Sequence, residues 1–453
     1  MATRPSNMIA GNSNQDVRRL VAWIVVGIAI AITVVAAIQA RQRQIKKEQT
    51  HSTHQVNDFD RWMTEVPQFL QPHPVNYVSD SFPTPPVTLL VFAPLTWISP
   101  ANAQFVWVCC KFFFALGIFL LSLQIVRRAG VEPSVLALLL VLAVWLWPVL
   151  GDMQEGQTNL LMLLPLTAGL WFIQNDHRSG QWLGGLLVAL AICIKVTPII
   201  FLIYLLWQRR WVASLAVLVG MVVWLLVVPA LAFGWSQNLL WLNQWFHIMI
   251  LPYVEHGRVQ YYVGQSVPSF LSRLIRNVPA FMYNKHTGHP LPQYVNVLSL
   301  HRNLADWLIR GILVVVGLIG LWWMRARVAS ARSRDYVLQI GAVAAFMLWA
   351  SPRTWVPHYV SLIFTLMAVA MVLSDTAQVY ARRRQAALAL AVAAFLMFLT
   401  TDVGKVFGPN GHRWLLTIGV SLWASVLLMY VIFTARPQPR KAVDSPPAAQ
   451  AES

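Results

Sequence analysis

Acidic side chains are scarce: 17 Asp and Glu stand against 34 Lys and Arg among 453 residues, and charged residues of both signs make up only 11% of the chain. A soluble protein carries about a quarter, so a water-facing coat around one large core is excluded. Cysteine is scarcer still. Cys109, Cys110 and Cys193 all sit inside apolar runs, where they act as small hydrophobes, which excludes a disulfide framework and a zinc knuckle. A Walker loop, a GxGxxG after a strand, an HExxH and paired CxxC motifs are also missing, so nucleotide phosphates, dinucleotides and structural zinc have no support. No period of about 20–50 residues repeats, which excludes a solenoid.

Hydrophobic residues are what the chain has, at 57%, in runs of membrane-crossing length that recur to its end. The fold class is therefore an all-α polytopic membrane protein. The net charge of +17 would suggest nucleic acid in a soluble chain. Here the basic residues fall in short loops between apolar runs, the pattern that orients a protein in a membrane and meets anionic lipid. No nucleic-acid partner is expected.

The run from Leu20 to Ile38 is too long for a signal-peptide core and reads as a retained anchor. Arg4, Arg18 and Arg19 before it place the N-terminus in the cytoplasm, although Arg41, Arg43, Lys46 and Lys47 after it argue the other way. The later basic loops decide for the first reading. Lys195 and Pro198 interrupt the run from Trp182 to Leu206. Proline removes a backbone donor, and a charge at the bilayer centre costs roughly 2.5–3.5 kcal/mol, so this run reads as two half-helices that enter and leave on one side. With that break, about ten full spans put nearly every basic loop in the cytoplasm. Residues 1–435 form one transmembrane domain, and 436–453, rich in Pro and Ala, a disordered cytoplasmic tail.

Polar islands then share the external face: Asp58 to Thr84, Gly151 to Asn159, Ser236 to Asp306 and Ser351 to His358. The first gathers Asp58, Asp60, Glu65 and Asp80 beside Pro83, Pro85 and Pro86. The order DFxxW, PTPPVTLLVFAPL, GQTNLLMLLPL, Lys195-Val196-Thr197-Pro198, QSVPSFLSRL and SPRTWVPHY resembles glycosyltransferase family 87, from about Asp58 to His358. That resemblance implies a GT-C-like bundle with external loops forming the active site. It also implies a hexosyltransferase of the bacterial-type plasma membrane, most simply a mannosyltransferase that uses a polyprenyl-phosphate donor, with Asp58 as the base.

The residue types suit such a transfer on their own. Moving a sugar from a lipid phosphate to a lipid-linked or glycan hydroxyl, with inversion, needs a carboxylate to take the hydroxyl proton and cations to hold the departing phosphate. The phosphate leaves already charged, so a second, protonated carboxyl is not required. Asp58 is the expected base, with Asp60 or His358 as a second acid or proton relay and Glu155 as an alternative. Lys195, Arg273 and Arg353 are the expected phosphate ligands. Gln157, Asn159, Gln265 and Ser266 are the expected sugar or acceptor contacts. No metal and no cofactor are expected; the sugar lipid is a substrate. A transporter or flippase is the alternative, because a broken helix with a central Lys is also a transporter feature, yet the Asp58 island and the Lys195 break have no counterpart in the second half.

Overall fold

A computed structural model of the chain describes residues 27, 30–31, 33–50, 57–77, 82–252, 261–284, 290–401 and 406–435. Asp80, the first half of the Leu20–Ile38 run and the 436–453 tail lie outside the described residues. The helices in chain order are α1 (33–49), α2 (Asp58–Phe69), α3 (Val87–Phe92), α4 (Pro100–Arg128), α5 (Val135–Glu155), α6 (Asn159–Ile173), α7 (Arg178–Ile194) and α8 (Ile199–Trp207). They continue with α9 (Trp211–Phe233), α10 (Trp235–Trp245), α11 (Val267–Ile275), α12 (Arg302–Trp323), α13 (Arg334–Ala350), α14 (Val356–Ser374), α15 (Tyr380–Leu399), α16 (Gly408–Thr417) and α17 (Val420–Thr434). Among the described residues the only sheet is an antiparallel hairpin, Phe281–Asn284 with Pro290–Gln293.

Among the described residues six helices are long and apolar enough, by length and composition, to cross a membrane. Several apolar runs fold into shorter pieces: α6 has 15 residues and α7 has 17. Burial sorts the long helices into layers. The apolar window of α14 is 83% buried and forms the centre, whereas that of α12 is 11% buried and leaves Trp307, Val314, Leu318 and Trp322 exposed. An apolar outer surface is what contact with lipid tails requires.

At one point where a helix of this bundle loses a backbone donor, a side chain serves the freed carbonyl. Pro229 cannot donate to the Leu225 carbonyl four residues back, and α9 widens into a π turn at Val223–Val227. The buried Asn238 amide donates to the Leu225 and Leu226 carbonyls at 2.9 and 3.2 Å.

The bundle has two unlike ends. At one, Arg128 donates to the Trp171 carbonyl and Asn175 Oδ1, Arg210 pairs with Asp176 at 2.7 Å, and Arg332 donates to the Gln174 carbonyl. Arg334 pairs with Asp375 there at 2.8 Å. The opposite end carries the starts of α6 and α14 and the ends of α5 and α13. The interrupted run begins at the basic end, turns at Lys195–Pro198, and returns: the Gln208 amide donates to the Met324 carbonyl and its Oε1 accepts from the Val328 N–H. The half-helix pair thus enters and leaves on one side, as the sequence predicts.

Candidate active site

α2 owes its placement to a stripe of large side chains. Phe59, Trp62, Val66 and Phe69 recur at helical spacing and are all buried, so they present one face. Phe59 stacks on Trp107 with centroids 5.3 Å apart, and Trp62 meets Phe92 at 5.4 Å; such ring pairs contribute about 0.5–1.5 kcal/mol each beyond area burial. With that face fixed, Asp58 and Arg61 fall on one flank, and Asp60, roughly 200° of helix rotation from Asp58, points elsewhere. Asn57 caps the helix by accepting from the Asp60 N–H at 3.0 Å.

The flank borders a cavity of about 520 Å³ whose lining includes Asp58, Arg61, Gln157, Lys195, Arg353 and His358. This is an ordinary size for a small-molecule or cofactor site. The lining also includes the apolar Ile194, Val196, Ile199, Trp245, Met249 and Ile250. The cavity therefore offers cations, a carboxylate and greasy surface together.

Within it, Arg61 Nη2 lies 3.0 Å from Asp58 Oδ1, and the Gln157 amide donates to Asp58 Oδ2. Lys195 caps the end of α7 in extended conformation. Its Nζ donates to Asn159 Oδ1 at 2.5 Å and lies 2.9 Å from His358 Nε2. His358 Nδ1 accepts the Trp355 N–H at 3.2 Å, which fixes the ring beside Lys195. The break between α7 and α8 thus delivers a lysine to the cavity and ties it to α6 and α14.

The sequence-predicted site residues divide cleanly. Asp58, Gln157, Lys195, Arg353 and His358 border one cavity, and Asn159 touches it through Lys195. Asp60 does not: it is buried against α1, with Lys47 Nζ 2.6 Å from Oδ2, because α2 turns it away from Asp58. Arg273 is not at the cavity either. It is fully buried and donates to the Tyr261, Gly264 and Thr417 carbonyls; burial pulls its guanidinium down to about 10, still charged at neutral pH, and the three carbonyls offset its desolvation. Gln265 is spent in the same region: its amide donates to the Tyr262 and Leu416 carbonyls, and its own backbone carbonyl accepts the Tyr359 hydroxyl. Ser266 caps α11 by accepting from the Ser269 N–H. Arg273 and Gln265 tie the loop before α11 to the C-terminal helices.

Sequence reasoning missed Arg61 as a cavity residue, and it missed Lys111 and Asp152. That pair is fully buried, with Lys111 Nζ 3.0 Å from Asp152 Oδ1 and 2.5 Å from the Asp152 carbonyl. A lone lysine within the apolar run of α4 was the available signal, since a charge there needs a partner.

Asp152 opens the turn that carries Gln157. The Gln157 N–H donates to the Asp152 carbonyl, and Gly156 between them has φ +70°. A Cβ at Gly156 would stand 2.7 Å from both the backbone nitrogen and the Cβ of Phe59. Gly156→Ala is therefore expected to destabilise the protein by about 1–2 kcal/mol from the left-handed backbone alone, and to lower turnover by displacing the first turn of α2. Thermal unfolding and kcat measured on the same preparation check both.

The model of glycosyltransferase family 87 matches residues 82–352. A polyprenol-phosphate-mannose-dependent alpha-(1-2)-phosphatidylinositol mannoside mannosyltransferase of Mycobacterium tuberculosis is 25% identical over 386 residues, covering 80% of this chain and 79% of the relative. A polyprenol-phosphate-mannose-dependent alpha-(1-2)-phosphatidylinositol pentamannoside mannosyltransferase of Mycolicibacterium smegmatis is 29% identical over 132 residues, or 29% of this chain and 30% of that one. Among solved structures, ArnT from Cupriavidus metallidurans bound to undecaprenyl phosphate matches with a TM-score of 0.38 and 15% identity, over 91% of this chain and 77% of that one. The family match begins after Asp58 and stops short of Arg353 and His358, so those three residues rest on geometry.

Proposed function

The chain belongs to glycosyltransferase family 87 and is a membrane glycosyltransferase; from that premise we propose that it moves mannose from a polyprenol-phosphate donor to a hydroxyl of a mannosylated phosphatidylinositol lipid. Two relatives whose names state that chemistry support the donor and acceptor class. The carrying observation is a single cavity whose lining holds one carboxylate, Asp58, together with Lys195, Arg353, His358 and apolar side chains. Membership of a transferase family disfavours the transporter alternative.

In this scheme Asp58 takes the proton of the acceptor hydroxyl as its oxygen attacks the anomeric carbon from the face opposite the phosphate. The bond from that carbon to the phosphate oxygen breaks with its electron pair, and polyprenol phosphate departs as a dianion. Configuration inverts. Lys195 and Arg353 stabilise the charge that builds on the phosphate, and His358 orients Lys195. Gln157 holds the carboxylate in place. The isoprenoid lies on the wall of Val196, Trp245, Met249 and Ile250. The scheme invokes no metal.

Orientation follows from charge. Arg128, Arg210, Arg332 and Arg334 gather at the end of the bundle away from the cavity, and basic residues are retained on the cytoplasmic side. The active site then opens to the exterior, with the C-terminus in the cytoplasm.

The test is transfer of labelled mannose by the purified full-length protein to a phosphatidylinositol mannoside, with polyprenol-phosphate mannose and a nucleotide-mannose compared as donors. Transfer from the lipid donor alone is expected; transfer from the nucleotide sugar alone would sink the reading. Lys195→Gln is expected to raise the donor KM by about ten-fold, the equivalent of about 1.4 kcal/mol of lost binding, in initial-rate measurements at saturating acceptor.

A further inference from the structure

Arg61 stands one helical turn after Asp58 on the same flank of α2, and its guanidinium is the cation nearest the carboxylate, 3.0 Å from Oδ1. The second carboxylate oxygen accepts the Gln157 amide. Each oxygen thus accepts one protein donor and keeps a further lone-pair site, and the ion pair with Arg61 adds a cation that holds Oδ1 on the protein's side. Gln157 is held by its own turn. Arg61 is the partner that can leave.

Its surroundings suit a change of partner. Arg61 borders the cavity, and its side chain is 24% exposed. Its buried Nε has no hydrogen-bond acceptor among the described residues. A guanidinium presents parallel N–H groups that match a phosphate as well as a carboxylate, and here it uses one nitrogen on one oxygen. Asp60 does not compete for it at the cavity, because Lys47 occupies that carboxylate on the other side of the helix.

We propose that Arg61 is a donor-phosphate ligand that exchanges partners: it pairs with Asp58 until the sugar lipid's phosphate enters, then turns to the phosphate and leaves Asp58 Oδ1 for the acceptor hydroxyl. The base is thereby released from its ion pair only when there is a sugar to transfer. This rests on Asp58 being the base. It adds a ligand that sequence motifs did not single out, and it makes the donor bind productively before the acceptor.

A binding cycle separates partner exchange from simple charge. Binding of farnesyl phosphate, with farnesol as the uncharged control, is measured on the full-length protein in detergent for wild type, Asp58→Asn, Arg61→Gln and the double variant. Asp58→Asn is expected to tighten binding about five-fold in wild type, because it removes the carboxylate that competes for Arg61, and to change it less than about two-fold in the Arg61→Gln background. Arg61→Gln alone is expected to weaken binding about ten-fold. Equal tightening in both backgrounds would mean that Asp58 only repels the phosphate through space and would overturn the proposal, as would unchanged affinity in Arg61→Gln. If Arg61→Gln unfolds on a thermal scan, Arg61→Lys takes its place in the cycle. That variant keeps the charge but loses the fork, so the coupling should fall by about half or more, and undiminished coupling would overturn the proposal. Sugar transfer by Asp58→Asn at the wild-type rate is a different failure, that of the base assignment.

Discussion

Asp58→Asn is expected to lower kcat for mannose transfer by about 10²–10⁴-fold, the range by which a positioned general base accelerates a reaction, with the protein still folded. Asparagine has the size of aspartate, so the aromatic stripe of Phe59, Trp62, Val66 and Phe69 that seats α2 is untouched. What is lost is the ability to hold a proton. Asp60→Asn is the internal control. Asp60 is buried against Lys47, 2.6 Å away, so its substitution leaves a partly buried ammonium without its carboxylate. That variant should lose thermal stability and keep kcat within a few-fold. The two neighbours in DFD therefore separate chemistry from structure: one variant inactive and stable, the other active and less stable. Turnover and unfolding temperature from the same preparations decide it, and loss of activity in Asp60→Asn with an active Asp58→Asn would reverse the assignment.

The sequence made the choice between these carboxylates visible but not its answer. Helical period puts Asp58 and Asp60 on different faces; which face meets the cavity depends on Phe92, Trp107 and Trp241, far along the chain, which receive the aromatic stripe. The break at Lys195–Pro198 was legible because two local costs coincide there, a lost backbone donor and a buried charge. The membrane class was legible from composition alone. Composition does not fix the number of crossings, since an apolar run does not reveal whether it folds as a long helix or as one as short as α6 or α7. Arg273 misled for a related reason: an arginine beside Gln265 and Ser266 looks the same in sequence whether it meets a phosphate or three backbone carbonyls.

Lys111 and Asp152 lie 41 residues apart in two separate apolar helices, and Lys111→Met is expected to cost about 3–5 kcal/mol by leaving a buried carboxylate uncompensated. In thermal unfolding this should be the most damaging single change among the polar residues discussed. Asp152→Leu in the same chain should recover most of it, because replacing both members of a buried ion pair with apolar groups of similar volume is often neutral. Recovered stability is not expected to restore turnover. The Lys111 ammonium also holds the Asp152 carbonyl, which accepts the Gln157 N–H, and the Gln157 amide in turn holds Asp58. The double variant keeps the apolar packing but loses the cation that pins this turn, so it should unfold near the wild-type temperature and transfer mannose at least about ten-fold more slowly. A double variant with wild-type kcat would mean that the pair serves folding alone, and that Gly156 and the aromatic stripe suffice to aim the carboxylate.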